Sequence, residues 1–498
     1  MLNKGYVTIF ISLLVMAILL IAITTITITD RSMARTKIST AVNTAMSSEM
    51  ANYDRLIFDR YHILLLDKCA SGAGEGAIEA SMEENLRSNL GDSFTVNSVE
   101  LSGCLGIMDD GCSEFKKQIN DNFKYNVASI AVDKILEKTS GQDQPIGQKE
   151  LENIDSDIDE KKKSIEESEE NSKNNNKESD DSNKEAENSE ADNKDKNDNG
   201  IRVIDPRITL QNYVSMGLEG LLLPQDISIK GNVVSMEDLP SDGQPQNKIE
   251  EIETNFTNIN RMKMDAVKGN GWADSLITNA EAVVYASTYF NCLTEKKYDD
   301  TYLDFEMEYI VGGKKSEGEN YKRVVDEIIL IRFGMNLVYI ITDSVKMNEC
   351  KTTATLLTIE FPPAEPVVEY LLAGCWAYIE SIADVYRLLR GHSVPFIKSM
   401  DTWTTDFESL SHLESLVSLP SDEERGLNYK EYLMILIALR GDTMYYRMLD
   451  LMQLNIAATE EEYSDPDFRM SNAITAFGVN ADVSYGGEEF KIHEERGY

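Results

Sequence analysis

A chain of 498 residues with 42% hydrophobic composition is long enough to bury more than one core, which excludes a wholly disordered protein. Its formal net charge of -38 excludes nucleic acid as an expected partner, because polyanion binding draws on Lys and Arg to neutralise phosphates; cations and basic surfaces are the easier partners. Six cysteines (Cys69, Cys104, Cys112, Cys292, Cys350, Cys375) are too few for a disulfide framework and include no CxxC pair for zinc.

The strongest signal comes first along the chain. Residues 6–28 read YVTIFISLLVMAILLIAITTITI without a charge. At roughly 1.5 Å per residue this run reaches about 34 Å, enough to cross a hydrocarbon core of about 30 Å. Tyr6, Phe10, Leu14, Ile18, Ile21 and Ile28 mark this expected transmembrane anchor, residues 1–29. A cleaved secretory signal competes, since Ser32-Met33-Ala34 has small residues at a suitable offset. Asp30 and Arg31 just upstream, and the length of the apolar run, argue against it. Lys4 lies on one side of the run and Arg31, Arg35 and Lys37 on the other, so a positive-inside count favours a cytoplasmic body.

Ile38, Val42, Ala45, Met46, Met50, Tyr53, Ile57 and Tyr61 continue at three-to-four spacing, with no Pro or Gly before Gly72. That pattern predicts a rod helix running to about Leu66, the helical stalk of residues 30–68, whose apolar stripe packs on the chain's own globular part. Residues 69–147 read as a small α+β unit. Residues 94–101 alternate as a half-buried strand, and Ser113 caps a helix on which Phe115, Ile119, Phe123, Val127, Ile130 and Ile135 share a face. Cys104 and Cys112 flank a turn-like segment, where a local bridge or two buried free thiols both fit.

From 148 to 200 the composition turns to Glu, Asp, Lys, Asn and Ser, too polar to offset ordering entropy by burial, and a disordered acidic linker is expected. Two spacings there approach calcium loops. One has Glu160 where the turn needs Gly, and the other has Pro206 in place of the final Glu, so no metal is expected.

Residues 201–498 read as a mostly helical C-terminal domain with terminal strands. Helices are predicted over 247–267, 273–293, 321–347, 367–389 and 429–454, the last interrupted at Gly441. Residues 303–311 alternate as a strand, Gly312-Gly313-Lys314-Lys315-Ser316 reads as a hairpin turn, and 474–492 reads as paired strands around Gly486-Gly487. The fold class is therefore α+β, predominantly helical.

No catalytic constellation emerges, and neither an enzyme nor a cofactor is expected. His62, His392, His412 and His493 are scattered, and neither HExxH nor GxSxG occurs. Trp376 and Trp403 sit in apolar helical contexts and read as core anchors.

At Lys4-Gly5-Tyr6-Val7-Thr8-Ile9-Phe10-Ile11-Ser12-Leu13 the chain resembles the N-terminal segment of Tad/TadG-like proteins, pseudopilin-like membrane components of Flp-type pilus or secretion loci. Further segments look like a clostridial membrane-protein family of uncharacterised function. They include Tyr53-Asp54-Arg55-Leu56, Glu308-Tyr309-Ile310-Val311, Ile331-Arg332 with Asn336-Leu337, Trp376 with Glu380-Ser381-Ile382-Ala383-Asp384-Val385, and Tyr429-Lys430-Glu431-Tyr432-Leu433 with Arg447, Asp450 and Asn455. The resemblance implies a cytoplasmic N-terminus and an extracytoplasmic body, against the charge count. It also makes Gly5 a candidate processing position. Prepilins are cut after such a Gly with Glu five residues on, and here Phe10 takes the Glu position, so an uncut N-terminus is expected.

The expected function is that of a membrane-anchored structural or assembly subunit, with membrane lipid and Tad-like envelope proteins as partners. The alternative is a membrane-tethered acidic module that captures a basic or cationic partner.

Overall fold

The computed structural model describes residues 3–69, 74–123, 127–139, 220, 222–244, 271–359, 361–406, 426–459 and 467–498. The acidic stretch 148–200, both calcium-loop-like spacings, the helix predicted over 247–267 and His412 lie outside them.

The stripe that follows the apolar run decides the first packing step. α1 (Asn3–Met50) is one unbroken helix. Its Ala34, Ile38, Ala41, Val42, Ala45, Met46 and Met50 recur at helical spacing and are buried. They pack on α3 (Glu75–Leu90), which offers Ile78, Met82, Leu86 and Leu90 every fourth residue, and on a four-stranded antiparallel sheet. β3 (Ala473–Tyr485) is the central strand and pairs with β2 (Phe94–Gly106) on one edge. Its other edge takes β1 (Leu66–Asp67) at Ile474 and Ala473, then β4 (Glu488–Gly497). Gly486 and Gly487, at φ 60° and 85°, make the β3–β4 turn that L residues resist. These elements form a stalk layer with its own core.

A second and larger core begins at the end of the sheet remote from that turn, where Leu65, Ile107 and Ala473 enter it. This head is helical: α2 (Arg55–Tyr61), α4 (Asp109–Asn122), α5 (Val127–Thr139), α6 (Gly271–Thr278), α7 (Ala280–Tyr289), α8 (Glu306–Gly312), α9 (Glu317–Thr342), α10 (Ser344–Leu357), α11 (Glu365–Leu388), α12 (Tyr429–Ala438) and α13 (Thr443–Ala458). α9 and α11 run antiparallel, since Arg332 meets Asp384 while Asn336 meets Ser381.

Several predicted elements are corrected by this arrangement. The rod ends at Met50, not near Leu66, because Asp54 accepts from the Ile57 amide at 2.9 Å and opens α2, while its own amide bonds Leu65 O. Ile57 and Tyr61, read as the end of the rod's stripe, belong to the head. The helix predicted to start at a Ser113 cap is α4, which begins at Asp109 with Met108 at its N-cap and ends at Asn122; the rest of the predicted face falls on α5, where Ile130 is exposed. The strand predicted over 303–311 is largely helix α8. Its alternating glutamates face inward and are bonded there, so the polar positions do not mark a solvent side. Gly312 to Ser316 accordingly joins two helices rather than two strands. Asp343 splits the helix predicted over 321–347 by capping α10 through the amides of Val345 and Lys346. Trp403 lies in an irregular segment, not a helix. The closing strands and their Gly486-Gly487 turn stand as predicted.

Candidate functional site

The predicted anchor residues from Phe10 onward lie on one continuous surface. Phe10, Leu14, Ile18, Ile21 and Ile28 are all exposed on α1, whose most apolar stretch has no part buried in the protein. Gly5 and Tyr6 lie in its first helical turns. The hydroxyls in this stretch are satisfied internally: Thr25 donates to Ile21 O, Thr27 to Ile23 O and Thr29 to Thr25 O at 2.7–2.9 Å. An uncharged helix whose backbone and hydroxyls need no water meets the requirement for crossing hydrocarbon. Among the described residues, one helix is thus long and apolar enough to span a membrane.

Where the apolar run ends, the stalk layer takes hold of α1. The Tyr485 hydroxyl donates to Asp30 Oδ1 at 3.3 Å, and Arg31 pairs with Glu488, both beside the β3–β4 turn. Lys37 donates to Leu90 O at 2.9 Å and stands 4.7 Å over the Phe94 ring, which stacks on Tyr485 with centroids 4.5 Å apart. Further along, Ser39 donates to Glu494 at 2.6 Å, and the Tyr498 hydroxyl donates to Met50 O at 2.7 Å.

These contacts advance together along both elements. Arg31 to Met50 spans about 28 Å of helix, and Glu488 to Tyr498 about 33 Å of strand, so β4 lies alongside α1 over the helix's whole polar half. The exposed ion pair adds little to this hold. The strength is in the stripe, where burying Ile38, Val42, Met46 and Met50 contributes roughly 1.5–3 kcal/mol each.

The head holds a second group of polar residues, and sequence reasoning gave them no role. Arg332, Asp384, Lys398 and Glu380 form a fully buried ionic cluster: Lys398 Nζ lies 2.7 Å from both Glu380 Oε1 and Asp384 Oδ1. Asn336 also donates to Asp384, and Glu380 accepts from the amides and hydroxyls of Thr404 and Thr405. Burial pushes the Asp384 carboxyl up, but Arg332 and Lys398 outweigh it and hold the group below its usual value.

On α8 the balance goes the other way. Burial pushes Glu306 and Glu308 up to about 7 despite their hydrogen bonds. Glu306 accepts from the Asn291 amide at 2.7 Å and from Asn455 at 2.6 Å; Glu308 accepts from the Leu293 amide at 3.0 Å and the Tyr429 hydroxyl at 2.9 Å. The other Glu308 oxygen is buried with no hydrogen-bond partner among the described residues. Asp450, raised by burial to about 6, accepts from the Ser241 amide and the Tyr309 hydroxyl.

Each of these carboxylates ties an irregular segment to a helix, which is a scaffolding task. Most come from the segments that carry the family resemblance, so that signal was present in the sequence without its meaning. Trp376 is buried, as read, and donates to Thr405 Oγ1.

The remaining candidates do not converge. His62, His392 and His493 sit on different elements: His62 ends α2, His392 follows α11, and His493 lies on β4. All six cysteines are free, so Cys104 and Cys112 form no bridge, and burial raises the Cys112 thiol to about 12. Among the described residues no group of three or more His, Cys, Asp or Glu is placed to hold a metal. A cavity of about 420 Å³ opens beside Ser241, Asp242, Gly313, Lys314, Lys315 and Glu319, where the lysines and carboxylates offset each other.

A family of unknown function (DUF5702) matches residues 190–485, which takes in most of the head and β3. No curated protein and no solved structure matches the chain.

Proposed function

We propose that this chain, which belongs to the family of unknown function DUF5702, is a non-enzymatic, membrane-anchored structural or assembly subunit of the pseudopilin-like, Tad-type kind. Its N-terminus is cytoplasmic and its body extracytoplasmic. One observation carries the reading: α1 passes without a break from an exposed apolar half into a half that is built into the stalk core. A signal removed near Ala34 would take with it Asp30 and Arg31, which contact Tyr485 and Glu488 of the stalk layer. The Lys4 to Leu13 resemblance supports the Tad-like assignment and the orientation, and the buried carboxylates of the head are engaged in holding its loops.

The test is extraction of the full-length protein from membranes. It should resist high salt and alkaline carbonate and come off with detergent, and protease added to intact cells should degrade the body. Recovery in the soluble fraction, or a secreted product beginning near Ala34, would overturn the anchor. A body protected from external protease would reverse the orientation.

The net charge of -38 favours a second reading, capture of a basic partner by the acidic body. Such capture should weaken steeply with ionic strength, whereas packing through α1 should not.

A further inference from the structure

The edge of the stalk layer nearest the apolar run has a chemistry of its own. Ile28 is the last apolar residue of that run. Asp30 and Arg31, about 3 to 5 Å further along the helix axis, touch Tyr485 and Glu488. A bilayer crossed by residues 6–28 therefore ends level with the β3–β4 turn, where Gly486 and Gly487 are exposed.

The residues at that level suit the boundary between lipid and water. Phe94 and Tyr485 stack there, partly buried, with the Lys37 ammonium over the Phe94 ring. Aromatic rings with a polar tip and long basic side chains are the groups that collect at the headgroup level. Charge agrees with this. Arg31, Arg35 and Lys37 stand against Asp30, Asp92, Glu488 and Glu489, so the rim is nearly balanced while the whole chain carries -38. Arg35 is exposed and makes no ion pair among the described residues, which leaves it open to a phosphate.

We infer that this rim is a second membrane contact: the β3–β4 turn and the Phe94–Tyr485 pair rest in the headgroup layer of a phospholipid bilayer. The inference rests on α1 being an anchor. Because β4 follows α1 from Arg31 to Met50, a seated rim stands the stalk layer upright. The start of the head is then about 28 Å above the lipid, the helix rise between those residues.

Fluorescence quenching tests it on the full-length chain in phosphatidylcholine vesicles that carry a nitroxide on the headgroup. The native tryptophans Trp272, Trp376 and Trp403 all belong to the head and supply an unquenched baseline. Tyr485→Trp, and independently Phe94→Trp on the neighbouring strand, should each add emission that the headgroup nitroxide removes. Protein that floats with the vesicles while both new tryptophans stay bright would overturn the inference, as would native tryptophans quenched equally. Protein that fails to float sinks the anchor itself, and the rim contact with it.

Discussion

Arg332 on α9 and Asp384 on α11 meet with no exposure of either side chain, Nε and Nη2 lying 2.9 and 2.8 Å from the same carboxylate oxygen. Arg332 also donates to the carbonyls of Pro395 and Phe396, so one guanidinium joins two long helices to the segment that follows them. A buried pair of this kind is weak evidence of net stabilisation, but removing one partner leaves the other's charge stranded.

Asp384→Ala should therefore cost roughly 3–5 kcal/mol, the range for a broken buried pair. Urea unfolding would report it as a lower midpoint at unchanged slope. Replacing Arg332 and Asp384 together with Met and Leu should cost much less than the single change. Equal losses would mean that the pair's geometry, not its stranded charge, sets the penalty.

Glu306 and Glu308 give the head a dependence on pH. Their folded values near 7 lie above the ordinary 4.5, so between these the folded chain binds more protons than the unfolded one. Their contribution is complete below about 4.5 and is lost as pH rises through 7. The melting temperature should fall by several degrees from pH 5 to pH 8. Glu308→Gln, which keeps an acceptor for Tyr429 and the Leu293 amide, should flatten part of that slope; an unchanged slope would contradict the assignment.

Gly313→Ala and Gly391→Ala separate backbone strain from collision. Both glycines have left-handed backbone, at φ 60° and 83°, but a Cβ at Gly391 meets open space whereas one at Gly313 lies 2.5 Å from the Arg447 guanidinium. Gly391→Ala should cost about 1–2 kcal/mol. Gly313→Ala should cost more, because Arg447 holds the carbonyls of Ile310 and Val311 at the end of α8 and must move.

The N-terminus should be uncut, since Phe10 stands where prepilin processing requires Glu. Intact mass of the membrane-extracted protein should include the residues up to Gly5. A product beginning at Tyr6 would show that the processing enzyme tolerates Phe.

How much of this was legible in the sequence depended on the range of the determining contact. The apolar run, the Ile38 to Met50 stripe and the closing hairpin are set by neighbours a few residues away, and all three were readable. The α8 segment was misread because Glu306 and Glu308 answer amides 15 residues upstream, in a loop with no pattern of its own. Asp54 ended the rod by a cap that competes with continuation only because Leu65 closes the turn behind it. The ionic cluster brings Arg332 to Asp384 across 52 positions, and no spacing rule reaches that far.

The central strand of the sheet is synthesised long after the first helix that packs on it. Asn97 and Asp482, which hydrogen-bond across β2 and β3, are 385 residues apart in sequence. During translation Ile38, Val42 and Met46 have only α3 to cover them until that strand arrives, a long interval in which unpaired edges and bare apolar surface invite misassembly. A premature stop before Ala473 should thus strip support from α1. It would leave a tethered, sticky intermediate for quality-control proteases rather than a shorter working protein.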